Sequence, residues 1–195
     1  MESKIVYFEK PGDVNTDETL RIAEQRAEEL GIKRVVVASN SGKTGVKAVE
    51  AFKGRQVVVI THSVGFRGEN INEFVEENRK IIEDKGGLVH TATHVFGGLS
   101  RAMRQGEIPQ CSQTYVVGDI AATTLKCFGH GTKVCVEIAA MAADAGLVRT
   151  DEEIIAMGGT GREGGGTDTA LVLKPANAHS LFDTKIKEIL CKPRL

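Results

Sequence analysis

Residues 34–61 read RVVVASNSGKTGVKAVEAFKGRQVVVIT, and this stretch decides the fold. It contains two apolar, β-branched runs, Val35–Val37 and Val57–Ile60, which are separated by a polar turn and a short helical pattern. Strands that are apolar on both faces are typical of a parallel sheet covered by helices on both sides. The stretch therefore predicts a βαβ unit with a right-handed connection.

The polar turn, residues 39–45, lies where a strand ends and a helix begins. Free backbone N–H groups at the start of a helix carry partial positive charge and attract anions. Hydroxyl groups add hydrogen-bond donors, and one lysine adds a full positive charge. We therefore predict that this turn binds a phosphate group through Ser39, Asn40, Ser41, Gly42, Lys43, Thr44 and Gly45. The alternative is that Ser39 or Ser41 only caps the helix, because capping uses the same N–H groups.

The turn is only half a match to the P-loop of nucleotide hydrolases. Gly42, Lys43 and Thr44 fit the end of that motif, but its first glycine is replaced by Val37. Nor does a clear apolar strand end in a metal-binding aspartate; the nearest candidate is YVVGD at residues 115–119. We therefore do not expect nucleotide hydrolysis of the P-loop type, and we predict no metal site.

The composition is that of one globular domain spanning residues 1–195, with 41% hydrophobic and 26% charged residues. With a net charge of −1, the chain lacks the excess of positive charge that is typical of nucleic-acid-binding domains. No apolar run has the length of a membrane span, and the first residues show no signal-peptide pattern, so we predict a cytoplasmic protein. The cysteines form no CxxC pair, which predicts reduced and mostly buried thiols: Cys111, Cys127, Cys135 and Cys191.

The other periodic segments complete an α/β pattern. A strand-like run at residues 5–8 precedes the βαβ unit, and a third core strand is predicted at residues 88–91. A fourth strand at 153–157 and a fifth at 170–173 are joined without room for a crossover helix, which predicts an antiparallel pair. Helices are predicted at residues 15–30, 71–85, 99–104, 112–128, 133–145 and 182–190. The expected fold is therefore a three-layer α/β domain with a mainly parallel five-stranded sheet.

Two further loops leave the same edge of the predicted sheet. Thr61, His62, Ser63 and Gly65 follow the second core strand, and we predict that they border the ligand. The histidines His62, His94 and His130 each follow the end of an element; acid–base or metal-binding roles are open, as is simple loop hydrogen bonding. A flat ligand ring could stack on Phe66 or Phe96, although core packing is the ordinary role of such residues.

A glycine-rich loop, residues 158–168, connects the fourth and fifth strands. Candidate ligand contacts in it are Gly159, Thr160, Arg162, Thr167 and Asp168. Arg162 is flanked by flexible residues and could approach a phosphate with two hydrogen bonds, or remain solvated. Asp168 could accept a ribose or ribityl hydroxyl, or stabilise its own turn.

Three short motifs resemble the carboxyl-terminal α/β domain of pyruvate kinase. The turn fits the family pattern Ser-x-x-Gly-x-Ser/Thr, and the next strand ends in threonine, as Thr61 does. Gly166-Thr167-Asp168-Thr169 is similar to the Gly-x-Thr-Asn-Thr loop of that family. The resemblance implies a strand order of 3-2-1-4-5, with strand five antiparallel, and a phosphate site. In an open α/β sheet of this order the turn and the glycine-rich loop should face each other across one crevice, with the body of the ligand toward residues 160–167.

The resemblance also bears on function. The catalytic barrel of pyruvate kinase is absent from these 195 residues, so kinase chemistry is not expected. In free-standing archaeal proteins of this type, flavin mononucleotide (FMN) is a plausible ligand. The expected function is thus binding of a phosphorylated small molecule without turnover. The alternative is a flavin-dependent oxidoreductase or a phosphosugar-processing enzyme. The apolar segments at residues 114–128 and 133–145 suggest a homo-oligomer.

Overall fold

A computed structural model of the protein describes residues 4–105, 117–160 and 165–194. The described residues form the following strands: β1 Val6–Phe8, β2 Arg34–Ala38, β3 Gln56–Thr61, β4 Leu88–Thr91, β5 Ile154–Gly158, β6 Thr169–Lys174 and β7 Lys185–Pro193. They also form the following helices: α1 Thr16–Leu30, α2 Lys43–Ala51, α3 Glu76–Asp84, α4 Gly98–Gln105, α5 Val117–Lys126 and α6 His130–Asp144. Short 3-10 turns precede α1 and β7, at Asp13–Asn15 and Ala178–Asp183.

The strands form one mixed sheet in the order β1-β7-β6-β5-β2-β3-β4. Strands β4, β3, β2 and β5 are neighbours in that order and run parallel to one another. Strand β6 runs antiparallel to both β5 and β7. This confirms the α/β class, and the five predicted strands keep their expected neighbours and directions. The predicted strand count was too small, because β7 and β1 extend the sheet beyond β6.

The sheet is buried on both faces, as its apolar strands predicted. On one face, Val35 and Val37 of β2 pack in a core with residues of α1, α2 and α3. On the other face, Val36 packs in a second core with residues of α6. Successive side chains of a strand point to opposite faces, so one short run of valines contributes to both cores.

The predicted carboxyl-terminal helix at residues 182–190 was wrong. These residues contribute to a 3-10 turn and to β7, which pairs with β6 and β1. The apolar residues Phe182, Ile186 and Ile189 have a spacing that also fits a helix, which misled the prediction. The partner strands are more than ten residues away in the chain, and the hydrogen bonds that they offer override the local pattern.

Two helix boundaries also differ from the prediction. The helix expected at 71–85 begins only at Glu76, because the N–H of Phe74 bonds to the Asn72 side chain (3.1 Å) and that of Val75 to the Ser41 carbonyl (3.2 Å). The helix expected at 133–145 begins earlier, at His130. Part of the helix expected at 112–128 lies outside the described residues; the rest forms α5.

The sequence argument for a homo-oligomer rested partly on the apolar residues of α6. Residues Cys135 to Ala143 of this helix are buried within the chain itself, mostly against the sheet. They therefore need no second copy to cover them. The oligomeric state itself stays a prediction.

Thiol labelling tests the placement of the cysteines. Cys127 is exposed, whereas Cys135 and Cys191 are fully buried. Burial raises the pKa of Cys191 to about 12 and also raises the pKa of Cys135 well above its usual value. Because the thiolate is the reactive form, iodoacetamide at pH 8 should label Cys127 quickly and the two buried thiols only after unfolding in urea.

Peptide mass spectrometry separates the sites, including Cys111, which lies outside the described residues. Labelling of Cys135 or Cys191 in the native protein as fast as that of Cys127 would contradict the packing of α6 and β7.

Candidate functional site

A cavity of about 920 Å³ opens at the carboxyl ends of the parallel strands. The last residues of β2 and β3 form its floor, together with Gly159 after β5. Its walls are the turn at residues 39–44, the loop after β3, the loop before α4 and the first half of α6. Its volume lies within the range of roughly 300–1,000 Å³ that is typical of ligand sites. The cavity also lies where the strand order reverses, between β2 and β5.

Hydrogen bonds that its carbonyl groups accept from β3 and α3 hold the turn at residues 39–45 in place. The Thr61 hydroxyl donates to the carbonyl of Asn40 at 3.2 Å. The carbonyl of Ser41 accepts from the N–H of Val75 at 3.2 Å and from the side-chain amide of Asn78 at 2.9 Å. The strand and the helix next to the turn therefore determine its backbone conformation.

Gly42 is required at the centre of this turn. Its φ of 90° lies in the left-handed region, which side chains rarely tolerate. A Cβ atom at this position would also come within 2.6 Å of Asn78 and 2.9 Å of the Phe74 ring. The glycine thus allows α3 and the residues before it to pack directly against the turn.

The N–H groups of the turn remain available for a ligand. Among the described residues, the N–H groups of residues 41–44 find no hydrogen-bond acceptor, whereas the N–H of Gly45 bonds to the Ser39 hydroxyl at 3.3 Å. Gly42 is the N-cap residue of α2 and provides no side-chain cap, so Ser39 reaches only the third residue of the helix. This hydrogen bond uses the N–H of Gly45 alone and leaves the donors of residues 41–44 at the cavity wall.

A cluster of rings and charges lies at the other end of the cavity. The Nδ1 atom of His62 lies 2.6 Å from an oxygen of Glu73. The His62 ring also packs against Phe66, with 4.0 Å between ring centroids, and against His94 at 5.0 Å. The guanidinium of Arg101 covers Phe66 at 4.0 Å from the ring centroid. Phe66 therefore lies between a histidine and an arginine, and its faces are already in use.

Helix α6 adds a buried ion pair to the same end. Lys133 pairs with Glu137, which is only 3% exposed. The other oxygen of Glu137 accepts the N–H of Phe96 at 3.1 Å and so holds the loop after β4. Phe96 itself is buried in the core, which is the ordinary role considered for it. This arrangement fixes the position of His94, two residues earlier.

The surroundings of His94 favour the neutral form of its imidazole. Burial lowers the pKa of its imidazole below the usual value of 6.5. The charge of Glu137 opposes this shift, whereas His62, Lys133 and Arg101 add to it.

The loop between β5 and β6 contributes in part as predicted. Gly159 and Thr160 line the cavity opposite the turn. Thr167 and Asp168 are fully buried instead: the hydroxyl of Thr167 donates to the carbonyl of Gly158 at 2.7 Å, and Asp168 accepts the N–H of Gly12 at 2.9 Å. We therefore correct their assignment from ligand contacts to structural residues. Arg162 lies outside the described residues.

Most of the predicted site residues are brought together in this one cavity. The structure places the following along its wall: Ser39, Asn40, Ser41, Lys43, Thr44, Thr61, His62, Ser63, Gly65, Gly159 and Thr160. Gly42 and Gly45 are buried within the turn itself.

Five charged residues of the cavity were not predicted from the sequence: Arg67, Glu73, Arg101, Lys133 and Glu137. A signal existed only for the last two. They lie four residues apart on a helix face next to the inward-facing Val134 and Ile138, an unusual place for charges.

Two features are absent from residues 4–105, 117–160 and 165–194. In them, no three His, Cys, Asp or Glu side chains are grouped so that they could hold a metal ion. In the same ranges, no helix combines the length and the apolar character needed to cross a bilayer.

The family model of the pyruvate kinase α/β domain matches residues 17–173 of this chain. The chain belongs to this family. The matched range runs from α1 into β6 and includes every element around the cavity. Strands β1 and β7, which extend the sheet of this pyruvate kinase α/β domain, lie outside the matched range.

The low pKa of His94 predicts a pH dependence of stability. In the unfolded chain this imidazole binds a proton near pH 6.5, but in the folded protein it stays neutral to lower pH. The unfolded state thus binds more protons in this window, so the free energy of unfolding should fall as the pH drops below about 6.5. When the pH falls from 7.5 to 5.5, the free energy of unfolding should decrease less in His94→Gln than in the wild type.

Urea unfolding at both pH values measures this difference, and His179→Gln, at an exposed site outside the cavity, serves as the control. An identical pH dependence in His94→Gln and the wild type would show that His94 is not desolvated.

Proposed function

We propose that this protein binds a phosphorylated small molecule, with the phosphate on the turn at residues 39–45. The observation that carries the proposal is the set of N–H groups at residues 41–44, which have no acceptor among the described residues and border a cavity of about 920 Å³. The positive end of the α2 dipole adds to their attraction for an anion. Lys43 is exposed beside them and supplies a full charge.

FMN is the specific ligand that we propose from the family resemblance. The residues present fit its parts: the turn suits a terminal phosphate, and the cavity has room for a fused ring. The ring would lie against the edges of His62 and His94, because both faces of Phe66 are covered. When bound, FMN would supply one- or two-electron redox chemistry. Absorbance under added NADH or NADPH distinguishes a reducible flavin enzyme from a carrier.

A second candidate is an enzyme that processes a phosphorylated sugar. The contact between His62 and Glu73 favours it, because a carboxylate that holds one nitrogen of a histidine is a common arrangement for proton transfer. Both candidates use the same phosphate turn. A cytoplasmic location and a homo-oligomer remain part of the proposal, and light scattering measures the oligomeric mass.

The double substitution Ser41→Ala with Thr44→Val tests the phosphate turn. Hydrogen bonds to a charged group contribute about 1.5–3 kcal/mol each, so FMN should bind at least roughly tenfold more weakly. Riboflavin, which lacks the phosphate, should bind with nearly unchanged affinity. Quenching of flavin fluorescence measures both dissociation constants.

Thr124→Val is the matched control, since this exposed hydroxyl of α5 bonds to its own helix. An equal loss for FMN and riboflavin, or no loss for FMN, would mean that the turn does not hold the phosphate.

A further inference from the structure

The end of the cavity away from the turn contains an oriented histidine. His62 Nδ1 is held by Glu73 at 2.6 Å, and both side chains are mostly buried, at 15% and 22% exposed. Glu73 is held in turn by Arg67 at 3.4 Å. Among the described residues, no hydrogen-bond partner occupies His62 Nε2, so this nitrogen is left for a ligand in the cavity that His62 lines. Holding one nitrogen of an imidazole fixes the ring orientation and the tautomer.

A second histidine of different character faces the first. The His94 ring lies 5.0 Å from that of His62, at an angle of 69°. Burial lowers the pKa of its imidazole and so favours the uncharged form, and the charges of Glu137, Lys133 and Arg101 also act on it. A neutral imidazole donates one hydrogen bond without carrying a net charge, which suits a polarised carbonyl oxygen. The two rings thus offer a base and a hydrogen-bond donor on one side of the cavity.

We propose that this end of the cavity is a proton-transfer site for a phosphorylated hydroxycarbonyl compound, with His62 as the base and His94 as the donor to the carbonyl oxygen. The proposal rests on the phosphate turn proposed above, which would anchor such a substrate. It gives the second candidate function a reaction class, and it assigns His62 and His94 as catalytic residues. Glu73 is a positioning residue, because it acts through His62.

The step needs no oxidant, reductant or second substrate. His62 Nε2 takes the proton from the carbon next to the carbonyl group, and the C–H electron pair forms the C=C bond of an enediol. The carbonyl π electrons move to oxygen, which takes a proton from His94. Return of the first proton from His62 to the former carbonyl carbon, with loss to His94 of the hydroxyl proton on the carbon that was first deprotonated, moves the C=O group to that carbon and completes an aldose–ketose isomerisation. Every atom of the substrate is retained in the product.

Deuterium exchange tests this step directly. The wild-type protein is incubated in D₂O with dihydroxyacetone phosphate, ribulose 5-phosphate or fructose 6-phosphate, and proton NMR follows the C–H signals next to the carbonyl. We expect enzyme-dependent exchange with at least one of these probes. His62→Gln should slow it by about 100-fold or more, which is the usual contribution of a general base. His179→Gln, outside the cavity, should leave the rate unchanged.

The positioning role of Glu73 is tested by the pH profile of exchange, which the loss of a purely structural contact would not shift. Glu73→Gln keeps a hydrogen-bonding group beside His62 but removes the negative charge, so the pH profile of exchange should shift. Glu73→Asp should restore much of the wild-type profile. A profile that keeps its shape in Glu73→Gln, with only a lower amplitude, would overturn the positioning role. Urea midpoints confirm that each variant is folded.

The outcomes separate this proposal from the one on which it rests. If no probe exchanges while FMN binding still depends on Ser41 and Thr44, the proton-transfer site is overturned and the phosphate turn stands. If exchange occurs at the same rate in Ser41→Ala with Thr44→Val, the phosphate turn is overturned and the acid–base site stands. Exchange that persists unchanged in His62→Gln would overturn the assignment of the base.

Discussion

The cavity depends on the parallel pairing of β2 with β3 on one side and β5 on the other. In this register Val36 lies opposite Val58 and Ala156, although more than a hundred residues separate β2 from β5 in the chain. Because the three strands run in the same direction, the segments that follow them leave at one edge of the sheet. A shift of one residue would exchange the side chains that the two cores receive, so the close packing of both cores fixes the register.

The backbone conformation of the turn at residues 39–45 follows from packing around it. Donors from β3 and from the start of α3 occupy the carbonyl groups of Asn40 and Ser41. The contact of Phe74 with Gly42 leaves no room for a side chain there. While these carbonyls are engaged inside the fold, the N–H groups of residues 41–44 make no hydrogen bond with the described residues. Such donors are already oriented before a ligand arrives, which lowers the entropic cost of binding.

The other end of the cavity is assembled from side chains that are costly to bury. Glu137 is almost fully buried, and its charge is compensated by Lys133 and by the N–H of Phe96. A buried ion pair rarely adds stability, because desolvation offsets most of the attraction between the charges. Here it holds the loop that carries His94 against α6. The stacking of Phe66 between His62 and Arg101 fixes the loop after β3 in a similar way.

The sequence alone determined the α/β class and the strand, turn and helix around residues 39–45, since apolar strands, glycines and helix starts are local signals. The neighbours of β2 were predicted from the family resemblance. The tertiary structure decided what depends on distant partners. β7 became a strand because β6 and β1 offered backbone hydrogen bonds to residues with a helix-like spacing. Thr167 is buried with its hydroxyl bonded to the carbonyl of Gly158 on the neighbouring strand end. Asp168 is buried with its carboxylate bonded to the N–H of Gly12, which is distant in the chain. The pairing of His62 with Glu73 joins two loop residues, and nothing in their local sequence specifies that contact.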